Sequence, residues 1–213
     1  MTPAVLDRLA AAAGLFVLSP LLLAVAAAIV VASGLPVFFR QARVGRRGVV
    51  FSLLKFRSMK TAAAGAGITG AGDARVTPMG RFLRKYKLDE LPQLWNVLVG
   101  DMSLVGPRPE VPKFVDSNNP AWRTVLSVRP GITDLASLLY RNEEEMLVGV
   151  ADVEDYYRRV ILPVKLALNI EYQSARTLWT DLKLVAFTIW YSLFPSEPDP
   201  RRIRRALFSQ ETS

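Results

Sequence analysis

Hydrophobic positions are distributed very unevenly along this chain. Between Leu9 and Ala32 the only residues that are not apolar are Gly14, Ser19 and Pro20. A straight helix over that stretch would reach about 36 Å, enough to cross a bilayer core of about 30 Å. Pro20 removes a backbone donor and crowds the preceding turn, so a break is expected at Ser19-Pro20. The two halves, residues 9–18 and 21–31, are each only about 15–17 Å long as helices, and neither spans alone. Two geometries follow: a kinked spanning helix, or a re-entrant helix-break-helix that returns to the face it entered. Asp7-Arg8 precedes the segment, and Arg40, Arg43, Arg46 and Arg47 follow it. That charge bias places the globular part in the cytoplasm. A cleaved signal peptide does not fit, because the apolar run is too long and lacks a basic leader.

After the apolar run the period changes. Residues 36–56 read as a β-hairpin, with Val37-Phe38-Phe39 and Val49-Val50-Phe51 flanking Gly45-Arg46-Arg47-Gly48. No acidic residue occurs between Gly34 and Gly72, whereas Arg40, Arg43, Arg46, Arg47, Lys55, Arg57 and Lys60 do. Such a stretch beside an apolar anchor suits a surface of anionic lipid. Residues 61–72 are rich in Gly and Ala and read as a flexible loop. Thr77-Pro78 is a helix start, and that helix is expected to run to about Leu88. Leu91-Pro92 implies a second start. Leu91, Leu94, Trp95 and Leu98 keep helical spacing up to a stop at Gly100. Gly106-Pro107-Arg108-Pro109 holds an arginine between two prolines, and Arg129-Pro130-Gly131-Ile132-Thr133 reads as a second rigid turn. Residues 152–161 and 163–174 read as two helices. Residues 178–194 suit either an amphipathic helix on a membrane or a core helix, and Arg201-Arg202-Ile203-Arg204-Arg205 adds a basic patch.

Composition narrows the chemistry. The chain of 213 residues has no histidine and no cysteine and carries a net charge of +8. A disulfide framework and thiolate metal sites are therefore excluded. Near neutral pH the remaining catalytic groups are chiefly carboxylates. Asp89 and Glu90 stand side by side among Arg81, Arg84, Lys85 and Lys87. An acidic pair in basic surroundings suits a divalent metal and a phosphorylated substrate. The pair falls near the start of the second helix, where the positive helix end favours an ionised carboxylate and attracts phosphate. Glu143-Glu144-Glu145 reads as a solvated helix face rather than a metal site. Net positive charge leaves nucleic acid open as a partner, but nothing resembles a nucleic-acid reader and that reading leaves the apolar segment unexplained.

Several motifs together resemble the monotopic phosphoglycosyl transferases, the bacterial sugar transferases that begin surface polysaccharides. They are Pro36-Val37-Phe38-Phe39-Arg40-Gln41, Lys55-Phe56-Arg57-Ser58-Met59, Gly80-Arg81-Phe82-Leu83-Arg84-Lys85, Leu88-Asp89-Glu90-Leu91-Pro92-Gln93-Leu94, the run from Gly100 to Pro109, and Val128-Arg129-Pro130-Gly131-Ile132-Thr133. The resemblance implies an α+β, mainly helical fold. Residues 1–34 would form a re-entrant anchor broken at Ser19-Pro20. Residues 35–213 would form a cytoplasmic catalytic domain with a small hairpin and amphipathic interfacial helices. It implies transfer of a sugar-1-phosphate from a nucleotide diphosphate sugar, UDP-linked by the same resemblance, to polyprenol phosphate at the cytoplasmic face of the bacterial inner membrane. Asp89 would be the nucleophile and Glu90 would hold Mg²⁺. Arg84 and Arg108 would contact phosphate, and Lys55 and Arg57 join them as expected substrate contacts. A phosphohydrolase using the same aspartate is the alternative. Two positions depart from the pattern: Asp134 stands where glycine is frequent, and Asn169 where an aspartate is found, so Glu171 or Asp155 is a candidate to replace it. The oligomeric state, dimer included, is left open.

Overall fold

The computed structural model describes residues 4–60 and 72–208. The expected loop at residues 61–72 lies outside the described residues except for Gly72. Helix α1 (Ala4–Val17) and helix α2 (Ser19–Ser33) meet at a bend of 62°. Pro20 sits in the first turn of α2, where its missing N–H costs nothing. The Ser19 hydroxyl donates to the Phe16 carbonyl at 2.7 Å across the break. No single helix among the described residues is long and apolar enough to cross a membrane; the bent pair passes that test only when taken together. Both helices contribute to the core. Ala11 packs with Leu53, Val97 and Met102, and Val25 and Ile29 pack with Phe56 and Leu83. Their other faces leave Phe16, Val17, Leu23 and Val31 uncovered. Burying each such side chain is worth about 1.5–3 kcal/mol, so this face favours an apolar environment.

Strands β1 (Phe38–Val44) and β2 (Val50–Phe56) form the expected antiparallel hairpin, in register from Phe38 opposite Phe56 to Val44 opposite Val50. The turn needs a left-handed residue, supplied by Arg47 at φ 59° beside Gly48 at φ 79°. The outer edge of β2 is met by a side chain rather than a strand. Asn96 accepts from the Leu54 N–H at 3.0 Å and donates to the Ser52 carbonyl at 2.8 Å. Asn96 belongs to helix α4 (Gln93–Val99), so these bonds dock α4 on the hairpin.

Helix α3 (Pro78–Lys85) starts as expected, with the Thr77 hydroxyl capping the Gly80 N–H at 2.9 Å. It stops three residues before the expected end at Leu88. Lys87 takes a left-handed conformation (φ 55°, ψ 22°), and a short 3-10 turn follows at Leu88–Glu90. Gly100, at φ 97°, ends α4 as expected.

Strands β3 (Ser103–Val105) and β4 (Gly131–Thr133) pair in parallel. This corrects the reading of residues 129–133 as a turn alone: three residues give too short a period to announce a strand. Helix α5 (Pro120–Val125) lies on the connection between them, and helix α6 (Leu135–Leu139) follows β4. Helix α7 (Glu143–Met146) is a single turn. Helix α8 (Val153–Tyr156) runs without interruption through a wider π turn at Tyr157–Ile161 into helix α9 (Leu162–Ser174). The two helices expected there are therefore one. Pro163 would clash with the carbonyl four residues back in a regular helix, and the widened turn relieves that crowding.

Helix α10 (Leu178–Leu193) begins with a Thr177/Thr180 capping box. It buries Leu184 and Tyr191 against Val105, Leu135, Leu168 and Tyr172. Its opposite face leaves Trp179, Leu182, Ile189, Trp190 and Leu193 exposed. The core reading of this segment holds for the buried face, and the other face is apolar and uncovered. Helix α11 (Pro200–Phe208) closes the same core with Ile203 and Leu207.

Candidate active site

The left-handed turn at Lys87 redirects the chain out of α3 so that Asp89 and Glu90 enter the interior. A non-glycine residue pays about 1–2 kcal/mol for that conformation, so the turn must be held by its surroundings. Asp89 is buried, and its Oδ1 has no hydrogen-bond partner. Glu90 is gripped from two sides. Arg108 donates through Nη1 to Oε2 at 3.0 Å and through Nη2 to Oε1 at 2.5 Å. Lys55 Nζ reaches Oε1 at 3.1 Å. Arg108 is itself fixed through its backbone N–H, which donates to Asp134 Oδ2 at 2.5 Å. Asp134 also caps α6 through the Ser137 N–H. The departure at Asp134 is therefore a second anchor for the Pro107-Arg108-Pro109 loop.

These groups line one cavity of about 960 Å³. Asp89, Glu90, Lys55, Arg84 and Arg108 all face it. Apolar side chains from the broken helix and from α10 line it too, among them Leu18, Leu21, Val185, Ile189 and Leu193. The cavity thus joins a charged centre to the uncovered apolar faces described above.

The two carboxyls titrate in opposite directions. Burial pushes the Asp89 carboxyl above its usual range, and the neighbouring Glu90 charge adds to this against Lys55, Lys87 and Arg84. Burial would also raise Glu90, but Arg108 and Lys55 together outweigh it and hold Glu90 well below the usual carboxylate range. Lys55 is lowered by burial and by Arg108, against the pull of Glu90. The expectation that a helix end would favour ionised Asp89 is corrected here. Helix α4 starts at Gln93, and helix-end effects fade within a turn, so desolvation dominates.

Arg84 lines the cavity, pairs with Glu144 and approaches Met59 Sδ at 3.6 Å. Arg57 also lines the cavity. Its buried guanidinium donates to the carbonyls of Ser33 (2.7 Å), Gly34 (2.5 Å) and Leu35 (2.9 Å), closing the open end of α2. Its Nη1 and Nη2 thus tie the cavity wall to the end of α2. Glu171 pairs with Arg204 at 2.9 Å and Asp155 with Arg159 at 2.7 Å. Neither lines the cavity, and Asn169, buried in α9, does not line it either. Glu143 and Glu144, read as part of a solvated face, instead line the cavity as counter-ions to Lys165 and Arg84. Their role depends on partners far away in sequence, which no local pattern signals.

Among the described residues no cluster of three acidic, His or Cys groups exists that would cage a metal. Mg²⁺ does not need such a cage, since it is commonly held by one or two carboxylates together with substrate phosphates. The unpartnered Asp89 Oδ1 beside Glu90 fits that mode.

Residues 1–195 match the family described as bacterial sugar transferase. The UDP-glucose:undecaprenyl-phosphate glucose-1-phosphate transferase of Caulobacter vibrioides is 40% identical over 190 residues, covering 87% of this chain and 67% of the relative. The UDP-N-acetylgalactosamine-undecaprenyl-phosphate N-acetylgalactosaminephosphotransferase of Aeromonas hydrophila is 39% identical over 189 residues, covering 86% of this chain and 42% of the relative. The UDP-glucose:undecaprenyl-phosphate glucose-1-phosphate transferase of Escherichia coli K12 is 37% identical over 186 residues, covering 83% and 37%. The chain thus spans about two thirds of the first relative and about two fifths of the other two. It belongs to the bacterial sugar transferase family.

Proposed function

We propose that this chain transfers a sugar-1-phosphate from a UDP-sugar to polyprenol phosphate at the cytoplasmic face of the bacterial inner membrane, through an aspartyl-phosphosugar intermediate on Asp89. The reading rests on one arrangement: a buried carboxylate oxygen without a partner, in a cavity that is cationic at its centre and apolar where α1, α2 and α10 line it. The substrates named for the relatives support it.

Asp89 attacks the β-phosphorus of the donor. An O–P bond forms, the bond from that phosphorus to the bridging oxygen breaks, and the nucleoside monophosphate leaves. An oxygen of polyprenol phosphate then attacks the same phosphorus, expels the Asp89 carboxylate, and yields the polyprenyl diphosphate sugar. Splitting one displacement into two lets each acceptor bind in turn. Lys55, Arg84 and Arg108 offset charge on the phosphoryl oxygens. Glu90 and Asp89 would hold Mg²⁺, which supplies further charge neutralisation at the diphosphate. The uncovered apolar faces of the broken helix and α10 would sit in the membrane, with both termini on one side, and bring the cavity mouth to the lipid. Residues 1–34 serve as the anchor and residues 35–213 as the catalytic part. Anionic lipid would meet the basic hairpin.

Product analysis tests the reading. With UDP-sugar and Mg²⁺, polyprenol phosphate should become a polyprenyl diphosphate sugar, with one UMP released per lipid consumed. Formation of free sugar phosphate at the same rate without lipid would instead favour a phosphohydrolase.

A further inference from the structure

One wall of the cavity carries buried charged groups that the transfer chemistry does not use. Glu110, one residue beyond the Pro109 that follows Arg108, is 8% exposed; Tyr157 is 3% and Lys165 7% exposed. The Tyr157 hydroxyl donates to Glu110 Oε1. Lys165 Nζ lies 2.9 Å from Glu143 Oε2 and 3.3 Å from the Tyr157 hydroxyl oxygen. Arg43 donates to the Pro109 carbonyl at 2.9 Å and approaches Glu110 Oε2 at 3.7 Å. All these side chains line the same cavity as the dyad.

Bracing alone is a poor account of this wall. Burying ions costs several kcal/mol each before pairing, and an apolar set of similar volume would brace as well. The wall also has capacity to spare. Glu143 Oε1 accepts no hydrogen bond among the described residues. Ser137, which lines the cavity, has a buried hydroxyl with no partner. Unused acceptors and a hydroxyl beside a fixed ammonium suit a ligand whose groups both donate and accept, which is the chemistry of a polyol. A nucleobase fits less well. The Tyr157 ring packs on Phe114 at 4.9 Å and lies under Lys165 Nζ at 5.3 Å, so it is not offered for stacking.

We propose that Glu143, Lys165 and Ser137 form the subsite for the hydroxyl groups of the donor sugar, with Glu110 and Tyr157 fixing Lys165, so that this wall selects the sugar. The inference rests on the transferase reading above and adds to it the part of the site that discriminates among donors. The geometry suits the chemistry: the sugar hangs directly on the phosphorus that Asp89 attacks, and the wall continues from Arg108 through Pro109 to Glu110.

The test is calorimetric titration of the full chain in detergent, without Mg²⁺ so that bound donor is not turned over, with UDP, UDP-glucose, UDP-galactose and UDP-N-acetylgalactosamine. Wild type should bind one UDP-sugar more tightly than UDP and more tightly than the other sugars. Glu143→Gln should reduce that preference by about tenfold or more, the scale set by one charged hydrogen bond. Ser137→Ala should reduce it less, and UDP affinity should stay within about twofold in both, well below the tenfold scale of one charged hydrogen bond. These two positions are only partly buried, so folding is at less risk than with Lys165→Met. A wild type without sugar preference, a preference unchanged in both variants, or a UDP affinity that falls in parallel would each overturn the proposal. The transferase reading fails separately, if wild type binds donors yet transfers nothing to polyprenol phosphate.

Discussion

Arg108→Lys keeps the charge next to Glu90 and removes the fork. In the structure the guanidinium makes two bonds to one carboxylate, at 3.0 and 2.5 Å, from a side chain about 21% exposed. An ammonium on a shorter reach can make one of them. In the proposed reaction the fork meets phosphoryl oxygens, and losing one such charge-assisted bond costs about 1.5–3 kcal/mol, equivalent to about 10- to 150-fold in kcat/KM. The backbone should not confuse the result, because the bond from the Arg108 N–H to Asp134 does not involve the side chain. The assay is release of nucleoside monophosphate from UDP-sugar in the presence of polyprenol phosphate, with circular dichroism to confirm folding. Arg108→Ala should fall further, since it leaves the buried Glu90 with Lys55 alone. A folded Arg108→Lys enzyme within twofold of wild type would refute the reasoning and leave Pro107-Arg108-Pro109 a structural turn.

Asp134→Ala removes a helix cap worth about 1 kcal/mol and a charge-assisted bond worth about 1.5–3 kcal/mol, so the melting temperature should drop by roughly 5–15 °C. Gly80→Ala reverses the sign expected of a helix: alanine normally gains about 1 kcal/mol over glycine there. A Cβ at this position would lie 1.9 Å from the Ser58 carbonyl oxygen, which is backbone and cannot swing away. Denaturant unfolding should therefore show a loss of about 1–3 kcal/mol. The chain has no cysteine, so Thr2→Cys is a clean probe of topology. It should resist a periplasmic thiol reagent in intact cells, and labelling there would defeat the re-entrant arrangement.

What was legible in the sequence is what local rules control. The bend at Pro20, the hairpin, the cap at Thr77 and the stop at Gly100 each depend on a residue whose backbone preference is strong by itself. The left-handed Lys87 was not legible, because a lysine has no such preference and the tertiary fold imposes it. The dyad could be picked out as two adjacent carboxylates among basic residues, while Lys55, Arg84 and Arg108 came as site residues from the family resemblance; the structure gathers them around one cavity. Arg57 carries the same charge signal and lines the same cavity; that it also holds three carbonyls at the end of α2 had no local signature. The contacts of Asp134, Glu143 and Lys165 were not legible for the converse reason. Asp134 acts on a loop 26 residues earlier, and Lys165 meets Glu143 across 22 residues, so neither spacing has a local signature.

The most direct measurement of the central claim is the mass of the protein after incubation with UDP-sugar and Mg²⁺ in the absence of lipid acceptor. The account predicts a gain of one phosphosugar, mapped by peptide analysis to Asp89, absent in Asp89→Asn, and discharged on adding polyprenol phosphate. A protein that never gains mass, and that turns over only when donor and lipid are bound together, would contradict it and assign the chemistry to direct displacement.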